Sequence, residues 1–125
     1  MIDHVSVAVS NLKDSADFYT KVLGELGLDR LVDRENTVGF GKKYPEFWIN
    51  ERPEMSDQAR ETGSHICLRT GSSERVTCFY ETALAHGAAC EGKPGPRLGA
   101  MTSYFGAFIL DLDGNKIEAV HFPGS

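Results

Sequence analysis

The sequence predicts an α+β fold made of two β-α-β-β-β modules, whose strands form a curved mixed sheet or half-open barrel with the helices on its outer face. Three observations carry that expectation. A shift of 61 residues takes His4 onto His65, Val5 onto Ile66, Val7 onto Leu68, Phe18-Tyr19 onto Phe79-Tyr80 and Leu23 onto Leu84. In each copy a strand-like alternation gives way at once to apolar residues at helical spacing. The chain then closes on Tyr104 to His121, two apolar runs flanking Asp113-Gly114-Asn115, where Gly after Asp signals a tight β turn.

Taken in order, residues 2–9 alternate as a strand, with Val5, Val7 and Val9 on one face and His4, Ser6 and Ala8 on the other. Asn11 can cap a helix, with Asp14 three residues on. Leu12, Ala16, Tyr19, Leu23 and Leu26 form its stripe and Gly27 its stop. Three short strands are expected over Leu28 to Arg34, Thr37 to Gly41 and Glu46 to Asn50. In the last of these Phe47 and Ile49 share one face, and Glu46, Trp48 and Asn50 the other. Residues 51–63 are polar and read as a connection. The second copy opens on a strand with Ile66 and Leu68 facing one way and His65, Cys67 and Arg69 the other. Ser72 or Ser73 caps a helix with the stripe Val76, Phe79, Tyr80, Ala83 and Leu84, closed by Gly87. Glu91 to Ser103 is rich in Gly and Pro, has no periodicity, and reads as a surface loop.

At 125 residues one domain is expected, with modules at about 1–52 and 63–122. A net charge of −5 argues against a nucleic-acid partner, since phosphate binding needs a basic surface. No apolar run approaches a membrane span, and no charged-then-apolar leader precedes the first strand. Cys67, Cys78 and Cys90 lack CxxC spacing and suit reduced thiols, so a cytoplasmic location is expected.

The chemistry enters through strand parity. In the final strand Ile117 and Ala119 share one face, and Lys116, Glu118 and Val120 the other. An acidic residue within an apolar strand is costly to bury unless something pairs with it. If the apolar strand faces pack on the helices, His4, His65 and Glu118 are left on the concave side of the sheet. Two neutral imidazoles and one carboxylate suit a divalent transition metal and leave coordination positions open. The plainer alternative is that the histidines are hydrogen-bonded strand residues and Glu118 pairs with Lys116 or a loop Arg.

Paired β-α-β-β-β units, a His in the first strand of each, a D-x-D-G-N turn and a Glu in the last strand resemble the vicinal oxygen chelate superfamily. It includes glyoxalase I, extradiol dioxygenases, fosfomycin-resistance enzymes and bleomycin-resistance proteins. The resemblance covers nearly the whole chain. It implies that His4, His65 and Glu118 hold one divalent metal (Fe, Mn, Ni, Co or Zn). It further implies a small substrate that chelates the metal through adjacent oxygens, with lyase, isomerase or dioxygenase chemistry, and a homodimer. Such a site lies either within one chain or across two. The alternative within the same family is a metal-free binder of a small molecule or antibiotic, in the style of bleomycin-resistance proteins.

Departures narrow the comparison. Glyoxalase I has a further carboxylate in the fourth strand of its first unit, where this chain has Trp48; a two-residue slip of register would place Glu46 there instead. The fosfomycin-resistance and extradiol branches use a Tyr where this chain has Phe108. No single branch fits. Trp48, Tyr104 and Phe108 fall on the concave face, as an aromatic wall for a ligand or as barrel core. Tyr104 is the candidate general acid or hydrogen-bond donor. Ser6 shares the His4 face as a candidate substrate contact. Arg69 is placed to bind an anionic substrate group or to cap the sheet edge. Cys67 reads as packing, and parity sets His121 on the face away from Glu118. Lys93 to Met101 is either a lid or a solvated loop.

Overall fold

A computed structural model describes residues 1–59 and 62–124. The elements run β1 (Val5–Val9), α1 (Leu12–Gly24), β2 (Asp29–Asp33), β3 (Thr37–Gly41), β4 (Phe47–Glu51), β5 (Ile66–Arg69), α2 (Ser73–Ala85), β6 (Ala89–Leu98), β7 (Ser103–Leu110) and β8 (Lys116–His121). They form two four-stranded sheets in the orders β1-β4-β3-β2 and β5-β8-β7-β6. In each, the first strand of the unit lies parallel to the last, and the remaining pairs are antiparallel. Both sheets are mixed and open at their edges, and the duplicated topology is the one the repeat implies.

Local chemistry explains the elements. The Asn11 side chain accepts from the Asp14 N–H at 3.0 Å, and the Glu51 carboxylate accepts from the Leu12 N–H at 2.9 Å. Two donors of the first turn of α1 are thereby satisfied. Past the helix, Gly27 adopts φ +84°, and the Leu28 N–H returns to the Leu23 carbonyl. Ser72, rather than Ser73, caps α2 by accepting from the Arg75 N–H at 3.2 Å. Gly41 is required by space: a Cβ there would lie 1.9 Å from the Tyr44 carbonyl oxygen, so the β3–β4 turn closes only over a glycine.

The apolar faces converge on a continuous core. Ala16, Tyr19, Val22 and Leu23 of α1 meet Phe40, Phe47 and Ile49. Val76, Phe79 and Ala83 of α2 meet Ala107, Ile109, Ile117 and Ala119 within the same cluster. Buried aliphatic and aromatic side chains of this size each contribute about 1.5–3 kcal/mol relative to exposure.

The stretch expected as an aperiodic loop is corrected. Residues 91–98 belong to β6, a ten-residue strand paired with β7, and the turn is confined to 99–102. Its pairing register shifts between Cys90 and Gly92 and again between Gly92 and Gly95, which erases the period of two. β6 is an edge strand, where Pro94 and Pro96 need not donate to a neighbour.

The turn after β7 joins the two units. Tyr19 Oη donates to Asp111 Oδ2 at 2.5 Å, and Asn115 Nδ2 donates to the same oxygen at 2.9 Å. Asp111 Oδ1 accepts from the backbone N–H groups of Asp113 and Asn115 at 2.9 and 2.8 Å. From the same turn Asn115 Nδ2 reaches the Ala8 carbonyl at 2.8 Å, and Asp113 Oδ2 accepts from the Ser10 N–H at 3.0 Å. Gly114, at φ +88°, lets this five-residue turn fold back, with its N–H bonded to the Asp111 carbonyl. The strand carrying Glu118 is thus held against the strand that follows His4.

Candidate metal and substrate site

In the second sheet Cys67 lies directly opposite Glu118 across β5 and β8, and Phe108 opposite Glu118 across β7 and β8. Because Ile117 and Ala119 turn into the core, these alternate residues face away from the helix. His65 stands one residue before β5 and reaches diagonally, its Nε2 3.1 Å from Glu118 Oε1. Glu118 is 4% exposed. Its other oxygen, Oε2, is buried and has no hydrogen-bond partner among the described residues. A buried polar atom left unpaired costs about 1–3 kcal/mol, more when charged, so the fold tolerates here what it avoids elsewhere.

The surroundings keep space beside that oxygen. A Cβ at Gly106 would lie 3.4 Å from Glu118 Oε2 and 2.9 Å from Tyr104 Cε2, so the glycine leaves room for the ring and the carboxylate side by side. Burial, and next the Glu118 charge, push the Tyr104 phenol above its ordinary value. Cys67, read from the sequence as packing, is exposed in the single chain; its thiol is nonetheless pushed up to about 12, by partial burial first and then by the Glu118 charge. Both groups therefore keep their protons at neutral pH, and neither adds a competing negative charge.

The other expected residues divide between the two sheets. The Phe108 ring packs edge-on against His65, centroids 5.6 Å apart, and Lys116 Nζ sits 5.0 Å from the same ring. Lys116 is thus turned to Phe108, and the carboxylate's side-chain partner is His65. Arg69 lies over the Phe122 ring at 4.6 Å, and Phe122 in turn meets Tyr104 at 5.5 Å. Ser6 and His65 both line a cavity of about 300 Å³ between β1 and the start of β5. Trp48 lies in the first sheet, opposite Ser6, with its ring against Gly39 and Arg34 5.8 Å away. Since Ser6 pairs with Trp48 as Cys67 pairs with Glu118, Trp48 is the first unit's counterpart of Glu118; the slip that would substitute Glu46 does not occur.

His4 stands apart in the single chain. Its Nδ1 is 2.7 Å from Asp3 Oδ1 in an exposed contact, and among the described residues no three His, Cys, Asp or Glu side chains gather to hold an ion. One chain therefore brings together His65 and Glu118, with Tyr104 beside them, and leaves His4 elsewhere. Gly106, Val120 and Phe122 are the neighbours that sequence reasoning did not single out for a role. Parity along β8 (118, 120, 122) was the signal for the last two.

Comparison with known proteins agrees with this architecture. Residues 1–119 match the family model of the Glyoxalase/Bleomycin resistance protein/Dioxygenase superfamily. The chain is similar to the crystal structure of a glyoxalase/bleomycin resistance protein from Albidiferax ferrireducens T118, at 32% identity and TM-score 0.83, over 96% of this chain and 98% of that one. It shares its fold with a glyoxalase/bleomycin resistance protein/dioxygenase family enzyme from Burkholderia phytofirmans PsJN, at 14% identity and TM-score 0.71, covering 96% of this chain and 97% of that one. The fold also matches the fosfomycin resistance protein FosX from Listeria monocytogenes, at 16% identity and TM-score 0.70, over 99% of this chain and 94% of that one. Two open sheets of matching topology, the family match over nearly the whole sequence and the Albidiferax likeness place this chain in the Glyoxalase/Bleomycin resistance protein/Dioxygenase superfamily.

Proposed function

We propose that the protein is a divalent-metal-dependent enzyme acting on a small substrate with two adjacent oxygens, and that it works as a homodimer. The observation that carries this reading is Glu118: a buried carboxylate with one oxygen on His65 and the other unpartnered. A protein that only sequestered an apolar ligand would gain nothing from such a group and would pay its desolvation. Donor chemistry fits the ion, since an imidazole and a carboxylate are two members of a facial set that suits first-row divalent metals. The third member is His4 of the partner subunit. No helix among the described residues is long and apolar enough to cross a membrane.

When bound, the ion would supply Lewis-acid stabilisation of enolate or alkoxide charge on the chelated oxygens. The chain's own residues do the rest. His65 is oriented by the edge of Phe108. Tyr104, held protonated, donates a hydrogen bond to a substrate oxygen as charge develops there. Trp48, the first unit's counterpart of Glu118, supplies no second carboxylate, which leaves the proton transfers to Tyr104 and solvent.

The shared site is tested by mixing variants. His4→Ala and Glu118→Ala, made separately, are each expected to lose high-affinity Mn²⁺ binding. Co-expressed, they form mixed dimers with one intact site, restoring on the order of a quarter of the wild-type site count under two-fold symmetry. Failure to recover any Mn²⁺ binding would rule out a site shared between subunits.

A further inference from the structure

Beside Glu118 lies a second cavity, of about 320 Å³, lined by Cys67, Met101, Thr102, Tyr104, Val120 and Phe122. It begins at the Glu118 carboxylate and follows β8 past Val120 to the Phe122 ring. The turn between β6 and β7 forms one side of it, held by the Gly99 N–H on the Thr102 carbonyl at 2.9 Å. Among the lining residues Glu118 is the single acidic or basic side chain. The Arg69 guanidinium lies over the Phe122 ring rather than within the lining.

We infer that this cavity takes the uncharged, apolar body of the substrate, an aromatic ring or a branched chain, while the oxygenated head sits at Glu118. The inference rests on the proposed function for the position of the head and adds the class of molecule attached to it. A dry void of about 150 Å³ accommodates a benzene ring, so the space here suffices for a phenyl group with a short linker. Tyr104 and Phe122, tilted at 42° with centroids 5.5 Å apart, present an aromatic wall to such a ring. An anionic body would lose its hydration against a lining with no basic side chain, and the one acidic side chain, Glu118, is taken up by the head.

The test compares two probes with the same two-oxygen head. Benzohydroxamate carries a phenyl group and acetohydroxamate only a methyl; both are titrated by calorimetry into wild-type protein, with and without Mn²⁺. Benzohydroxamate is expected to bind about tenfold more tightly, equivalent to about 1.4 kcal/mol. Val120→Phe, which fills the cavity, is expected to bring the affinity ratio close to one. Phe122→Ala, which removes a wall from a partly exposed position, should lower the ratio severalfold and serves if the first variant does not fold. Equal affinities in the wild type, or a ratio unmoved by either folded variant, would overturn the inference. A phenyl preference that persists while neither probe gains affinity from Mn²⁺ would support the cavity assignment and count against the metal reading, so the two fail separately.

Discussion

Glu118→Met is expected to stabilise the protein and, on the proposed metal reading, to abolish cation binding. The substitution replaces a 4% exposed carboxylate, one oxygen of which has no partner, with an apolar chain of similar length. Removing an unsatisfied buried polar group recovers about 1–3 kcal/mol. His65 loses its partner, but its side chain is 41% exposed and water can replace the bond. A net gain of roughly 1 kcal/mol corresponds to a rise in Tm of about 4 °C for a domain of this size. On that reading Mn²⁺ affinity should fall by at least about a hundredfold, since a proposed ligand is removed. Calorimetric melting and chelator competition on the same preparation check both halves. A less stable variant would mean that Glu118 is retained for the fold and not at its expense, the opposite of the usual trade between function and stability.

Asp111→Ala should have the largest effect on folding. One carboxylate accepts from the buried Tyr19 hydroxyl, from Asn115 Nδ2 and from two backbone N–H groups. Truncation strands several donors, and the Tyr19 hydroxyl has no route to water. A loss of about 3–5 kcal/mol is expected, a large part of the stability of a small domain. Urea unfolding measures it. Alkaline pH probes the same contact. Burial first, and Asp111 next, hold the Tyr19 phenol well above its ordinary value of 10.0. A group raised in the folded state keeps its proton after the unfolded chain has lost it. Its contribution to stability is therefore complete below pH ~10 and drains above it, at about 1.4 kcal/mol per pH unit. In Tyr19→Phe the fall in stability above pH 10 should be shallower by one proton's worth.

Periodicity and repeat carried most of the architecture. The shift that aligns His4 with His65 also aligns two β-α-β-β-β units, and the structure places each His directly before the first strand of its unit. Alternation in β4 and β8 was legible because one face of each strand is core: Phe47, Ile49, Ile117 and Ala119 are fully or almost fully buried. β6 was not legible. Two register shifts and two prolines hide a strand whose evidence lies in its partner β7 and not in its own residues.

The site was half legible for a similar reason. Parity within one sheet brings His65 and Glu118 together, since β5 and β8 are neighbours. Strand parity does not reach from one sheet to the other, and His4 precedes β1 of the first sheet. Trp48 was grouped with Tyr104 and Phe108 on the same argument, yet it lies in the first sheet while they lie in the second. The orphaned oxygen of Glu118 could not be read from sequence, because it depends on Gly106 leaving a gap two positions along a neighbouring strand.

The most direct test of the metal-centre reading is an anomalous-difference map from crystals grown with Mn²⁺ and measured on both sides of its absorption edge. One peak per chain is expected, in contact with Glu118 Oε2 and His65 and with His4 of the partner subunit. A map with no peak at Glu118 under saturating Mn²⁺, Fe²⁺, Ni²⁺ or Zn²⁺, or with its only peaks elsewhere on the surface, would contradict it.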